Sequence, residues 1–564
     1  MSRNRILIVG GVAGGLACAV RARRLDEHAE IVLFKRTEYV ASTESCASAD
    51  EEKAKIPASL KLLSSRFNIE VRAGHKVEAI DRLNKEVTVK QLTNGETYHD
   101  HYTALVLAPF ASPRPPALPG IDLPGVFVQR SIPDDRSIQQ WIDVHRPKSA
   151  VIVGAGLIGL ETAQELVRRG LKVTILERQG QVLPCLDPEM AEFVRVRLLE
   201  CHVDVHLKED VIAFGLSQDG ALLVRTSCTK HFATDMAVVS TRLRPETVLA
   251  AKAGLELGPW GGVIVDSQMR TSDPCIWAVG DIAESSEWPD TESRVVASAA
   301  LANRQGRIAA DAICGRPTRF RGLQRTGVCK AFGLTLATTG ATESALRSSG
   351  ITDFKSIYLH PDNHPSYKPG ASPMHIKLIF SVVDGKVLGA QAIGENGDER
   401  TIDVIAMAIH MGAKVFDLED AELCRASRYP QYKSAKDPVN LAGMIAANVM
   451  RGDVPCAEWE DFVRSRDSFV IDVRQPFEFA AGRLDGARNI PVEQLRQRFH
   501  ELPREREILV CCGAGQIAYY AVRILLQHGF NAKLLSGGLR TYNHLPEDLT
   551  EWAATAQSRS EVTR

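Results

Sequence analysis

Two stretches of this chain are spaced for holding a dinucleotide phosphate. Gly10-Gly11-Val12-Ala13-Gly14-Gly15 follows the β-branched run Arg5 to Val9 and precedes a helical stretch, Leu16 to Leu25. Gly154-Ala155-Gly156-Leu157-Ile158-Gly159 follows Ala150 to Val153 and leads into a helix through Arg169. Glycines at such a turn permit positive φ and let the backbone approach a pyrophosphate, whose charge is stabilised by N–H groups at the helix start. The second unit continues through Gly170 into a strand, Lys172 to Leu176, that ends on Glu177. That carboxylate can accept hydrogen bonds from both adenosine ribose hydroxyls and repels a 2′-phosphate, which favours NADH over NADPH; Arg178 beside it softens the preference. The first unit continues into Glu30 to Phe34, but Lys35 stands where the acid is expected.

Nucleophilic chemistry points to thiols. The twelve cysteines include no CxxC pair and no Cys/His cluster at zinc spacing. This leads us to expect a reducing, cytoplasmic setting, with no disulfide framework and no metal. Cys46 lies in a polar loop, Ala41 to Asp50, and Cys512 ends a strand, Ile508 to Val510, at the loop Cys512-Gly513-Ala514-Gly515-Gln516-Ile517. A thiol near a helix N-terminus is a nucleophile, whereas one buried among apolar groups is inert, and the residues allow both readings at both positions.

Positioning these groups takes several domains. A chain of 564 residues exceeds one hydrophobic core, so three or four domains are expected. An apolar fraction of 45% and a charged fraction of 24% are those of an ordinary globular protein. A net charge of −1 without long runs of one sign offers no footprint for nucleic acid. The basic start Ser2-Arg3-Asn4-Arg5, the apolar run Ile6 to Val20 and Ala17-Cys18-Ala19 could pass for a signal peptide, but a strand and glycine turn accounts for the glycines as well. No other stretch is apolar enough to span a bilayer, so no membrane partner is expected.

Two such units, followed by Trp277-Ala278-Val279-Gly280-Asp281, resemble the flavoprotein disulfide reductases. GGVAGG with RARRLDEHAEI, then VDSQMRTSDP, ALANRQGRIAADAICG, CKAFGLTLATTG and SAKDPVN are similar to the coenzyme A disulfide reductase branch with a fused rhodanese. In the C-terminal part Val470 to Arg474, Phe477-Glu478-Phe479 and Gly486 to Pro491 resemble rhodanese, after a linker Arg451 to Pro455. The resemblance implies an α/β protein with two Rossmann-like domains, one for FAD (1–112 and 245–320) and one for NAD(P) (113–244), an α+β dimerisation domain (321–450) and an α/β rhodanese-like domain (455–555). It implies a homodimer in which FAD passes hydride equivalents from NADH or NADPH to a cysteine, acting on a small thiol, disulfide or persulfide of the coenzyme A kind. Gly10, Gly11, Ala13, Gly14, Gly15, Gly280 and Asp281 match flavin contacts, and Gly154, Gly156, Gly159 and Glu177 match nicotinamide-dinucleotide contacts. Arg21 and Arg24 fall where the family engages coenzyme A phosphates, Tyr367 and Tyr432 at its thiol-side tyrosines, and Cys46 and Cys512 at or near its two nucleophiles.

The chain also departs from this pattern. The family motif SFANCGLPYY is absent: counting from Tyr39, Ser45 takes the nucleophile position and Cys46 falls one residue late. Leu107-Ala108-Pro109-Phe110-Ala111-Ser112-Pro113 replaces LATGASP, Arg242 replaces a glycine, and Ile517 replaces the arginine of the rhodanese loop. Three readings follow: a disulfide or persulfide reductase, a flavin oxidase that omits the thiol step, or a nucleotide-binding scaffold without turnover.

Overall fold

A computed structural model of the chain describes residues 4–11, 13–36, 62–109, 118–129, 132–240, 245–286, 293–364, 369–424, 437–464 and 468–546. It divides into two compact units, Met1–Val153 with Ile212–Leu323, and Gly154–Val211 with Gln324–Arg564.

The first unit is built on a five-stranded parallel sheet in the order Ile276–Ala278, Ala104–Leu107, Arg5–Val9, Glu30–Lys35, Glu70–Ala73. Apart from the edge strand Glu70–Ala73, its strands are largely apolar on both faces, as a parallel sheet covered on both sides requires. Ile6, Ile8, Leu33 and Val106 pack with Cys18, Ala19 and Ala22 of the helix Ala13–Leu25 and with Ala309 and Ala310 of the helix Ala299–Ile313. Leu7, Val32, Phe34, Leu105 and Leu107 point the other way, onto Val77, Val87 and Val89 of an antiparallel three-stranded sheet. The two helices meet backbone to backbone: a Cβ on Gly306 would stand 2.1 Å from Gly14 O. Three further parallel strands, Val126–Val128, Met236–Val239 and Ser149–Val153, complete the parallel elements of this unit that concern the sites.

The second unit begins at the second glycine turn. The helix Leu157–Arg168 leads to the parallel pair Lys172–Glu177 and Asp204–Leu207, with the helix Pro188–Glu200 between them. A five-stranded antiparallel sheet follows in the order Gly327–Ala331, Leu334–Gly340, Val387–Gly394, His375–Ser381, Phe354–Leu359, with the helices Asp398–Met411 and Pro438–Met450. Beyond the turn at Arg451 to Pro455 the chain forms a five-stranded parallel sheet, Cys456–Ala457, Ala532–Leu535, Ile508–Cys511, Phe469–Asp472, Arg488–Asn489, with its own core around Ile471, Val510, Ala521 and Leu525. The architecture is therefore mixed α/β with an α+β segment between parallel-sheet modules, the fold class the resemblance implied. Among the described residues no helix is long and apolar enough to cross a membrane.

Candidate functional site

The first cradle is strand, turn and helix, as its spacing predicts. Gly10, at φ 107°, donates its N–H to Phe34 O at 3.0 Å, and a Cβ there would lie 2.0 Å from Ala108 O. A Cβ on Gly15 would lie 2.1 Å from Gly10 O, so both positions exclude any side chain. Gly280, at φ 74°, and Asp281 form a short 3-10 turn beside this helix pair. Gly280 N–H donates to Gln305 Oε1 at 2.8 Å, while Gln305 Nε2 is buried and has no partner among the described residues. A buried amide donor beside the Gly280-Asp281 turn suits an oxygen-rich ligand. The cradle thus fits a flavin dinucleotide at its turn and at Gly280-Asp281, while its ribose end carries Lys35.

The two arginines of the first helix are differently employed. Arg21 donates from Nε at 2.9 Å and from Nη2 at 2.8 Å to Asp311 Oδ1 on the facing helix, so part of its charge is used within the fold. Arg24 is exposed, with its guanidinium 5.6 Å from the Phe67 ring centroid. Cys46, Tyr367, Tyr432, Phe110 and Arg242 lie outside the described residues.

The second cradle repeats the first. Gly154, at φ 105°, donates to Leu176 O at 2.8 Å. Glu177 is buried, its Oε2 accepting Ala155 N–H at 2.8 Å and its Oε1 accepting Gln179 N–H at 2.9 Å. Gly156 caps the helix Leu157–Arg168, and a Cβ built on it would meet nothing within 4 Å, which leaves the helix start open to a phosphate. Gly159 is buried on the first turn of that helix.

The C-terminal loop is built around Cys512. Its Sγ accepts Gly515 N–H at 3.1 Å and Ala518 N–H at 3.4 Å, at the start of the helix Gln516–Gln527. Oriented N–H groups of this kind favour a negatively charged sulfur. Strand alternation sends its neighbour Cys511 to the opposite core, where burial, with Asp472 beside it, pushes that thiol well above its ordinary value. Cys511 is therefore the inert member of the pair and Cys512 the candidate nucleophile. Arg474 lies near the loop, but its guanidinium is bound by Asp472, at 2.7 Å from Nη2 to Oδ2, and by Gly482 O. Ile517, 40% exposed, supplies no charge to the loop.

Sequence reasoning missed a buried ionic knot. Lys377 Nζ lies 2.8 Å from Asp187 Oδ2, 2.5 Å from Glu189 Oε1 and 2.8 Å from Glu343 Oε1. Tyr358 Oη donates to the same Glu189 oxygen at 2.9 Å. The three carboxylates stand close enough together for a metal ion, but the ammonium takes that place. Burial opposes the charge on Lys377, and the carboxylates overcome it, holding its pKa well above the ordinary value. Burial pushes Glu189 up. Against the same burial, Lys377 holds Glu343 below its ordinary value. The partners are far apart in sequence, and no local motif announces them.

The succession of domains along the chain matches known families. Residues 4–306 match the model of the pyridine nucleotide-disulphide oxidoreductase family, residues 328–424 that family's dimerisation domain, and residues 457–544 the rhodanese-like domain. The coenzyme A disulfide reductase of Staphylococcus haemolyticus is 29% identical over 454 residues, covering 79% of this chain and all of that protein. The crystal structure of reduced CoADR-RHD from Bacillus anthracis superposes with a TM-score of 0.91 at 37% identity, covering 96% of this chain and 98% of that one. A NAD-dependent persulfide reductase from A. fulgidus superposes with a TM-score of 0.83 at 31% identity, covering 95% and 100%. With more than half of its length inside the family model and both glycine cradles in place, this chain belongs to the pyridine nucleotide-disulphide oxidoreductase family.

Proposed function

We propose that the chain is an FAD-dependent oxidoreductase that takes reducing equivalents from NADH in preference to NADPH and delivers them to a disulfide or persulfide of a small thiol of the coenzyme A kind. The observation that carries this reading is the duplicated cradle: two strand–turn–helix units whose first glycine makes the same hydrogen bond, to Phe34 O in one and to Leu176 O in the other. Bound FAD would supply hydride acceptance from the nicotinamide and two-electron reduction of a sulfur.

The chain's own residues would do the rest. Gly10, Gly11, Ala13, Gly14 and Gly15 hold the flavin pyrophosphate, and Asp281 the ribitol. Gly154, Gly156 and Gly159 hold the nicotinamide dinucleotide, with Glu177 exchanging its backbone hydrogen bonds for ribose hydroxyls and repelling a 2′-phosphate. Cys46 forms the mixed disulfide with substrate, and Tyr367 and Tyr432 orient the thiol. Arg24, with its charge exposed, is the better placed of the two helix arginines to meet a substrate phosphate. Cys512, in its loop of N–H groups, carries a persulfide. The protein acts as a homodimer in the cytoplasm, its dimerisation segment matching that of the family.

A second reading, a nucleotide-binding scaffold, is favoured by Lys35 at the flavin ribose and Ile517 in the sulfur loop. The visible spectrum of purified protein before and after anaerobic NADH separates the two. An oxidised-flavin spectrum bleached by NADH, followed by recovery on adding a coenzyme A disulfide or persulfide, supports the enzyme. A colourless protein that cannot be reconstituted with FAD leaves the scaffold; bleaching reversed only by oxygen, with peroxide formed, indicates an oxidase.

A further inference from the structure

The two cradles are built to one plan and differ in the sign of one charge. Gly154 N–H bonds Leu176 O, and the next residue, Glu177, turns its carboxylate back onto the glycine turn to accept Ala155 N–H at 2.8 Å. Gly10 N–H bonds Phe34 O, which makes Lys35 the positional counterpart of Glu177. The lysine also folds back onto its turn: a Cβ built on Gly11 would stand 2.6 Å from Lys35 Cδ. Lys35 is 6% exposed, and the exposed Arg36 follows it at the strand end.

An acid at this position accepts from the two hydroxyls of an adenosine ribose, and a base accommodates a phosphate on that ribose. Lysine has three donors and no acceptor, so it cannot take the proton of either hydroxyl. Its three donors can serve the oxygens of a phosphate on that ribose.

We propose that the first cradle recognises adenosine nucleotides bearing a phosphate on the adenosine ribose, with Lys35 setting the preference and Arg36 as the second cation, so that such a nucleotide competes with FAD. This rests on the reading of that cradle as the flavin site. Glu177 disfavours a 2′-phosphate at the second cradle, so the charge reversal sorts a 2′-phosphorylated nucleotide toward the first.

The test uses the full-length chain loaded with FAD and follows released flavin by its fluorescence. Adenosine 2′,5′-bisphosphate, adenosine 3′,5′-bisphosphate and ADP are the probes; the two bisphosphates distinguish which ribose oxygen carries the recognised phosphate. At least one bisphosphate should displace flavin at concentrations about tenfold below ADP, the worth of one charge-assisted hydrogen bond. Lys35→Glu should reverse that order and retain FAD more tightly. Lys35→Met, which keeps an unbranched stem over Gly11 without the charge, should abolish the preference. Equal potency of all three probes on the parent, or an unchanged preference in both variants, overturns the proposal. If no variant takes up FAD, the flavin reading of the cradle fails on its own. The same probes are then titrated calorimetrically into the parent and Lys35→Met; the second cradle contributes equally to both, and equal bisphosphate affinity overturns the role of Lys35.

Discussion

Asp398 opens the helix Asp398–Met411 fully buried, and neither of its carboxylate oxygens has a partner among the described residues. A helix N-terminus favours negative charge, but burial, with Glu399 adjacent, outweighs it and raises the carboxyl from 3.8 to about 7. An acid whose folded pKa is raised contributes its full stability below the unfolded value and loses it as pH rises through the folded one. The native state should therefore weaken progressively between about pH 4 and pH 7, by at most about 4 kcal/mol. Asp398→Asn stays neutral throughout, and a buried amide costs less than a buried carboxylate. Denaturant midpoints measured from pH 4.5 to pH 8 should diverge, with the variant gaining on the parent as pH rises; parallel curves would show that Asp398 is not the titrating group.

At the scale of an element, the unit of C-terminal chemistry is the strand Ile508–Cys511, its loop and the helix Gln516–Gln527. The loop presents N–H groups to Cys512 Sγ but no cation of its own, because Arg474 is held by Asp472. Ile517→Arg should raise sulfur transfer from thiosulfate to cyanide about tenfold or more, the order of effect of an added charge stabiliser. In that background Cys512→Ser should abolish the activity and Cys511→Ser should spare it, because only Cys512 shares its core with the loop helix. Transfer that survives loss of Cys512 would place the sulfur chemistry elsewhere. The strands, turns and helices of both cradles and of this loop were legible in the sequence, because glycine spacing and apolar periodicity are local signals. The single-residue details of the cradles were not. Gln305 holds Gly280 across the fold, and the Lys377 knot gathers Asp187, Glu189 and Glu343 from separate segments; long-range pairing of this kind leaves no periodic trace. Lys35 was legible as a departure, and the structure adds that its stem lies on Gly11.

At the scale of the whole molecule, the C-terminal module is fastened to the antiparallel sheet of its own unit by neutral histidines. His360 Nδ1 lies 2.9 Å from His375 Nδ1, and its Nε2 lies 2.9 Å from Thr541 Oγ1 in the short helix Gly538–Tyr542. Phe193 stacks between His375, at 3.9 Å, and His544, at 3.7 Å, while Tyr358 N–H donates to Ser536 Oγ at 2.9 Å. The His360–His375 hydrogen bond needs one ring nitrogen as acceptor, so it is lost if both rings are charged. Burial is the largest cause that lowers all three histidines; His544 and Arg540 add to it for His375, which is pushed down to about 3, and His375 and Arg540 add to it for His360. The unfolded chain takes up these protons near 6.5 and the fastened module resists them, so the junction is at full strength above that pH and weakens as pH falls toward 3. Acidification from pH 7 to pH 5 should therefore lower the hydrogen-exchange protection factors of the helix Gly538–Tyr542, taken against the slower intrinsic exchange in acid, and expose the turn at Arg451 to Pro455 to protease, before the parallel-sheet core around Val510 opens. His375→Gln removes one titrating ring and should flatten that pH response while raising exchange at pH 7. If protection in this helix falls with acid equally in parent and variant, His375 is not the group that loosens the module.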